Sequence, residues 1–126
     1  MRRTYYLSIL AGFLFLLFVS FTTESNEVPQ IPEEVSVILA ASCYHCHSAG
    51  SKNKDALKKL NLEKWDEYRL MKKISLSGDI CEMIEKNKMP PAKYLGINPD
   101  KELTEKQKKI LCEWTEKESA RLMNGE

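Results

Sequence analysis

The pentapeptide Cys43-Tyr44-His45-Cys46-His47 is the part of this chain from which both fold and chemistry can be argued. Two cysteines separated by two residues and followed at once by a histidine are the attachment signature of c-type haem. Each thiolate adds to one vinyl group of the porphyrin, so the cysteines must lie about one helical turn apart on one face. His47 then lies under the ring and can give its imidazole to the iron as proximal ligand.

A Cys-x-x-Cys pair has two other common uses, as a dithiol redox site and as half of a zinc site. A redox motif of the thioredoxin type belongs in a βαβ unit, and the sequence shows no such unit. For zinc, His47 offers a third ligand, but no fourth has zinc-finger spacing. His45 lies inside the loop spanned by the two thioethers and is not expected to reach the iron. Haem attachment is therefore favoured over zinc and over a dithiol, which stay as alternatives.

Residues 1–26 are predicted to lie outside the folded domain. Arg2-Arg3 precedes the apolar run 5–21, which is the pattern of a positive n-region followed by a hydrophobic h-region. The run is long for a signal peptide and short for a membrane span, and its best cleavage site is Thr23-x-Ser25. A cleaved signal peptide and a retained membrane anchor both stay open. Either way the remainder is exported to the periplasm, because the arginines stay on the cytoplasmic side.

Residues 27–126 are expected to form one domain of the cytochrome c type. It carries 17 of the 19 basic and 17 of the 18 acidic residues, so it is close to neutral and lacks the footprint of a nucleic-acid binder. A domain of this size is marginal for core burial, and a covalent haem would add a large apolar body to the core. Cys81 and Cys112 remain as an even pair in an exported protein, which predicts a disulfide, with two buried thiols as the alternative.

The periodicity predicts helices and no strands. Pro32-Glu33-Glu34 is typical of a helix start, and this first helix should run into the haem motif. Asn61 is a candidate N-cap for a helix to about Lys73, and Ser77-Gly78-Asp79 should separate it from the next helix, which stops before Pro90.

Thr104 and Gln107 form a predicted capping box for a last helix that runs to about Met123, with Gly125 just past its end. Segments 51–59 and 89–103 are expected to be loops. Apolar residues at helical spacing are the candidate core: Val35, Ile38, Leu39, Leu62, Trp65, Leu70, Ile74, Ile80, Met83, Ile84, Leu103, Ile110, Leu111, Trp114 and Leu122.

The second axial position of the iron needs its own ligand. The chain has no histidine beyond the two of the motif, so bis-histidine ligation within one chain is excluded. Met89 is the best thioether, because it lies in a predicted loop held by two prolines, 42 residues after His47. Met71 and Met83 fall on apolar helix faces, where methionine is more often core. A position that is open or bound to water is the alternative.

These segments resemble the small bacterial haem-binding domain family, cytochrome c-like proteins with one Cys-x-x-Cys-His motif. The matching stretches are 43–48, 60–65, 88–94, 103–107 and 112–114. The resemblance implies an all-α, monohaem fold of about four helices around one covalent haem c. It also implies that Cys43 and Cys46 anchor the haem and that His47 and Met89 ligate the iron.

The expected function is one-electron transfer by a monomeric cytochrome, soluble or tethered to the inner membrane by residues 5–21, to a redox protein partner. Between Lys52 and Lys93 there are 11 basic and 7 acidic residues, so lysines around the haem edge are a candidate docking ring, and a solvated surface is the plainer interpretation. The alternative function is a five-coordinate haem that acts on peroxide or senses a gas or redox change.

Overall fold

The structure is a computed structural model, and it describes residues 31–125. The predicted signal peptide or anchor at residues 1–26, and the short segment after it, lie outside the described residues. The chain from Ile31 to Glu126 forms one unit. Within the described part, no helix combines the length and the apolar composition that a membrane span requires.

The described residues fold into six α-helices and two 3-10 helices, without a β-strand among them. In chain order these are α1 (Glu33–Ser42), α2 (Tyr44–His47), α3 (Lys54–Lys59), a 3-10 helix (Leu62–Glu67), α4 (Leu70–Glu85), α5 (Ala92–Leu95), a second 3-10 helix (Pro99–Lys101) and α6 (Glu105–Asn124). The prediction of an all-α domain is confirmed. The helices outnumber the predicted four or so because α2, α3 and α5 are only one or two turns long.

The two longest helices, α4 and α6, make the main helix–helix packing of the domain. A disulfide between Cys81 of α4 and Cys112 of α6 joins them covalently, as the sequence predicted. Helix α1 also packs on α6, and it buries the predicted apolar stripe of Val35, Ile38 and Leu39. The haem motif therefore follows directly from a helix that is held in the core.

Both ends of α6 are built as predicted. The Thr104 hydroxyl accepts a hydrogen bond from the Gln107 amide at 3.2 Å, and the Thr104 amide donates to Gln107 Oε1 at 2.9 Å. This reciprocal pair is the capping box. Gly125 ends the helix in the left-handed conformation, with φ of 76°, which glycine adopts without a steric penalty.

The predicted break at residues 77–79 is wrong. Helix α4 runs through this segment without interruption, and the region before it forms the 3-10 helix rather than the first part of a long helix. Ser77 is 1% exposed, so it lies in the packed interior, while Gly78 is exposed. A glycine inside a helix costs only about 1 kcal/mol relative to alanine, and tertiary packing outweighs that local preference.

Other local predictions are corrected in the same way. Leu70 and Met71 were candidate core residues, but they are 50% and 72% exposed. Helix α4 begins only at Leu70, and these two residues of its first turn face solvent. Segment 51–59 contains α3, which begins after Asn53, whose side chain accepts a hydrogen bond from the Ala56 amide at 3.1 Å. The predicted loop at 89–103 holds α5 and the second 3-10 helix.

Trp65 and Glu118 connect the first 3-10 helix to α6. The Glu118 carboxylate is buried and accepts two hydrogen bonds from the Arg121 guanidinium, at 2.9 and 3.0 Å. These bonds hold the pKa of Glu118 below its usual range, with a smaller contribution from a hydrogen bond with the Trp65 side chain. Trp65 also packs against Trp114, with ring centroids 5.5 Å apart. Trp65 is thus part of the core.

Truncation of Leu111 should show how strongly the domain depends on the packing of α6. The side chain is completely buried, so Leu111→Ala should lower the free energy of unfolding by about 2–5 kcal/mol. Leu70→Ala is the matched control, because the same change at a half-exposed position should cost far less. Urea unfolding of both variants measures the difference, and equal losses would contradict the described core.

Candidate haem-binding site

A cavity of about 400 Å³ lies between the haem motif and α4. Its volume falls in the range of sites for small molecules and cofactors, roughly 300–1,000 Å³. Leucine, isoleucine, methionine and proline side chains form most of its wall. The side chains in its wall that could bind a haem or its iron through sulfur or imidazole nitrogen are Cys43, Cys46, His47, Met83 and Met89. An apolar wall with two thiols, one imidazole and two thioethers fits a haem attached through the thiols.

The two cysteines of the motif line this cavity together. The His47 and Cys46 amides both donate to the Cys43 carbonyl, at 3.0 and 3.1 Å, and these bonds form the turn that α2 requires. Both thiols are free, which is the state needed before a haem can be attached. The helical turn therefore brings to one wall the residues that the motif predicts.

The imidazole of His47 is oriented by a backbone carbonyl. Its Nδ1 lies 3.0 Å from the Leu60 oxygen, and Nδ1–H is the donor that this acceptor requires. That bond leaves Nε2 free to bind a metal, and such a second partner commonly fixes the orientation of a ligating histidine. Leu60 was missed by the sequence analysis, because a backbone carbonyl gives no signal in side-chain patterns.

Two further hydrogen bonds hold the chain around His47 in place. Glu63 accepts from the Ala49 amide at 2.6 Å, and the Tyr68 hydroxyl accepts from the Asn61 amide at 2.8 Å. The first bond ties the segment after the motif to the 3-10 helix that follows Leu60, and the second joins the two residues that flank this helix. The Leu60 carbonyl is thereby kept within reach of the imidazole.

The structure narrows the candidates for the distal thioether. Met89 and Met83 both line the cavity, whereas Met71 does not and is 72% exposed. Met89 follows the end of α4, where Asn87 adopts a positive φ of 50°. The Lys88 and Met89 amides both donate to the Met83 carbonyl, at 2.9 and 3.2 Å, and this turn brings the two methionines to the same wall.

A hydrogen bond from α6 also supports this turn. Lys108 Nζ of α6 donates to the Asn87 side-chain oxygen at 2.8 Å. Asparagine tolerates the left-handed conformation better than most residues. Asn87 therefore positions the loop that carries Met89. The residues around it in the sequence do not indicate this role, which is seen from its backbone conformation.

The surroundings of Cys43 keep its thiol in the protonated form. Burial raises its pKa to about 11, and the neighbouring Cys46 adds to the shift. Reactive dithiols have lowered thiol pKa values, because the thiolate is the attacking species. The raised pKa of the Cys43 thiol does not follow that pattern.

Residues 31–125 contain a single group of three potential metal ligands from His, Cys, Asp and Glu, and it lies away from the haem motif. Its members are Cys81, Glu85 and Cys112, with ligand atoms within 4.8 Å of one another. The two sulfurs are bonded to each other in the disulfide, so they are not available as thiolates.

The fold and the cavity define the class of a helical haem protein, and the comparison with protein families agrees. The model of the haem-binding domain family matches residues 50–117, which is more than half of the chain. The chain belongs to this family. The match begins three residues after His47, so it includes Met83 and Met89 but not the Cys-x-x-Cys-His motif. Searches of curated proteins and of solved structures gave no match.

Proposed function

We propose that the chain is an exported c-type cytochrome that carries one covalent haem and transfers single electrons. The observation that supports this most is the meeting of Cys43, Cys46 and His47 on one wall of an apolar cavity that Met89 also lines. Membership of the haem-binding domain family supports haem as the cofactor. The Cys-x-x-Cys-His motif lies outside the matched residues. It supports covalent attachment, and its single occurrence supports one haem per chain.

Each residue of the site has a distinct role in this proposal. The thiols of Cys43 and Cys46 each add across one vinyl group, which forms a carbon–sulfur bond and moves the thiol hydrogen to the neighbouring carbon. His47 offers Nε2 to the iron while Leu60 holds its other nitrogen. Met89 would hold the iron through its thioether sulfur. A haem held by these residues would supply one-electron exchange between the ferrous and ferric states, and ligation by a histidine and a methionine would raise its reduction potential.

Two other features support export. The apolar run 5–21 after two arginines supports translocation, with the remainder either released into the periplasm or held at the membrane. The disulfide between Cys81 and Cys112 supports an oxidising compartment. We infer a redox protein as partner and a monomeric carrier.

Substitution of Met89 by alanine, with Met83 as control, tests this function. A ferric haem with a thioether ligand has a weak near-infrared band, and Met89→Ala should abolish it. The midpoint potential should also fall on the order of 0.1 V, part of the about 0.8 V range that axial ligands cover. Met83→Ala is the matched control, because it removes the other thioether of the cavity. Loss of the band in Met83→Ala alone would contradict the assignment of Met89.

A second function is supported by the exposure of Met89. Its side chain is 36% exposed, so an exogenous ligand has a path to that side of the site. A five-coordinate haem would then bind carbon monoxide when ferrous and act on peroxide. Absence of the thioether band in the native protein, together with rapid carbon monoxide binding, would favour this peroxidase or sensor function over electron transfer.

A further inference from the structure

The cavity wall carries a small number of charged groups among its apolar residues. Lys59, Lys72 and Asp79 line it, together with Asn53. Both lysines are largely exposed as well, so they lie where the cavity meets solvent. A haem brings two carboxylates, its propionates, and carboxylates taken from water require cations or hydrogen-bond donors as partners.

The position of Lys72 is unfavourable for its own helix. It lies in the first turn of α4, which contains no acidic residue, and a cation there opposes the helix dipole. The adjacent Lys73 forms an ion pair with Asp66 at 3.6 Å. Lys72 has no carboxylate within ion-pair distance among residues 31–125. An anion in the cavity would give this charge the partner that it lacks.

Lys59 differs from the adjacent Lys58 in its position relative to the cavity. Lys58 and Lys59 both lie in the last turn of α3, where lysines suit the helix dipole. Only Lys59 lines the cavity. Asn53 caps the same helix with its side-chain oxygen, which leaves the amide nitrogen able to donate. The segment 53–59 thus contributes two residues with donor groups to the cavity wall.

Asp79 makes the part of the wall formed by α4 negative at one end, whereas Lys72 makes it positive at the other. It lies seven residues after Lys72, two turns along the same face of α4, and it also lines the cavity. Its carboxylate repels a second carboxylate, whereas Lys72 attracts one. The acidic edge of a bound haem is therefore favoured near the start of α4 and disfavoured near its middle.

We propose that Lys59 and Lys72, with the Asn53 amide, bind the propionate groups of the haem. This assignment rests on the proposed function, because it requires a haem in the cavity. Ferric haem carries one more positive charge than ferrous haem, so a nearby lysine stabilises the ferrous state. The two lysines therefore raise the reduction potential in addition to positioning the acidic edge.

The test uses glutamine variants of the haem-loaded full chain. Lys59→Gln and Lys72→Gln should each lower the midpoint potential, and Lys59→Arg should keep it near the native value. Lys58→Gln is the matched control, one residue away on the same helix, with a smaller shift. At 1 M salt the Debye length is about 3 Å, so the control shift should vanish while those of Lys59 and Lys72 persist.

Infrared spectroscopy supplies a second readout. With the propionates labelled with carbon-13, the redox-induced carboxylate bands should move in Lys59→Gln and Lys72→Gln but not in Lys58→Gln. Equal potential shifts in all three variants, or unmoved bands, would overturn the assignment while the haem content stays normal. A native chain without covalent haem would instead overturn the proposed function, and the assignment with it.

Discussion

Replacing both Cys43 and Cys46 by alanine should remove all covalently bound haem from the protein. Each thioether needs its own sulfur, and the structure describes no other free cysteine in residues 31–125. A haem stain of a denaturing gel should be positive for the native chain and negative for the double variant. The single variants Cys43→Ala and Cys46→Ala should keep one bond each and stain weakly.

The same double variant should also unfold more easily. The cavity wall consists mostly of apolar side chains, and full burial of one such side chain stabilises by about 1.5–3 kcal/mol. Loss of the haem exposes several of them, so the loss of unfolding free energy should reach several kcal/mol, a large part of the 5–15 kcal/mol typical of a domain. Covalent haem persisting in the double variant would contradict the attachment sites.

Removal of the disulfide should have the second largest effect, on stability alone. Cys81 and Cys112 are 31 residues apart in sequence, and they join α4 to α6, the main packing of the domain. Closing a loop of this length lowers the conformational entropy of the unfolded chain, which raises the free energy of unfolding by about 3–4 kcal/mol. Cys81→Ala with Cys112→Ala should therefore lower the unfolding temperature by roughly 15 °C or more, since 1 kcal/mol corresponds to about 4–8 °C.

The two cysteine pairs serve as controls for each other. The variant without the disulfide should keep its covalent haem and its near-infrared band, because neither Cys81 nor Cys112 lines the haem cavity. A thiol reductant should destabilise the native chain by a similar amount and leave this variant unchanged. An unfolding temperature that does not respond to either treatment would contradict the stabilising role of the bond.

Features that depend on a few neighbouring residues could be predicted from the sequence. The spacing of Cys43, Cys46 and His47 places them on one turn whatever the rest of the chain does. The capping box of Thr104 with Gln107 is likewise local, and it is present in the structure. The disulfide followed from counting the cysteines that the haem motif does not use.

Features that depend on tertiary packing could not be predicted in this way. Helix α4 continues through Gly78 because the burial of Leu76 and Ile84, on either side of it in the same helix, outweighs a local helix-breaking preference. The orientation of His47 depends on the Leu60 carbonyl, which is 13 residues away. Met83 was assigned to the core from its helical position, and only the fold shows that it also lines the cavity with Met89.

The central claim is that one haem is bonded to Cys43 and Cys46, and the intact mass of the native protein tests it most directly. The full chain is produced in a host able to attach haem, denatured, and measured by mass spectrometry before and after digestion. The account predicts a mass higher by one haem, located on the peptide that contains both cysteines. A polypeptide mass without added haem, with both thiols free to react with an alkylating agent, would contradict it.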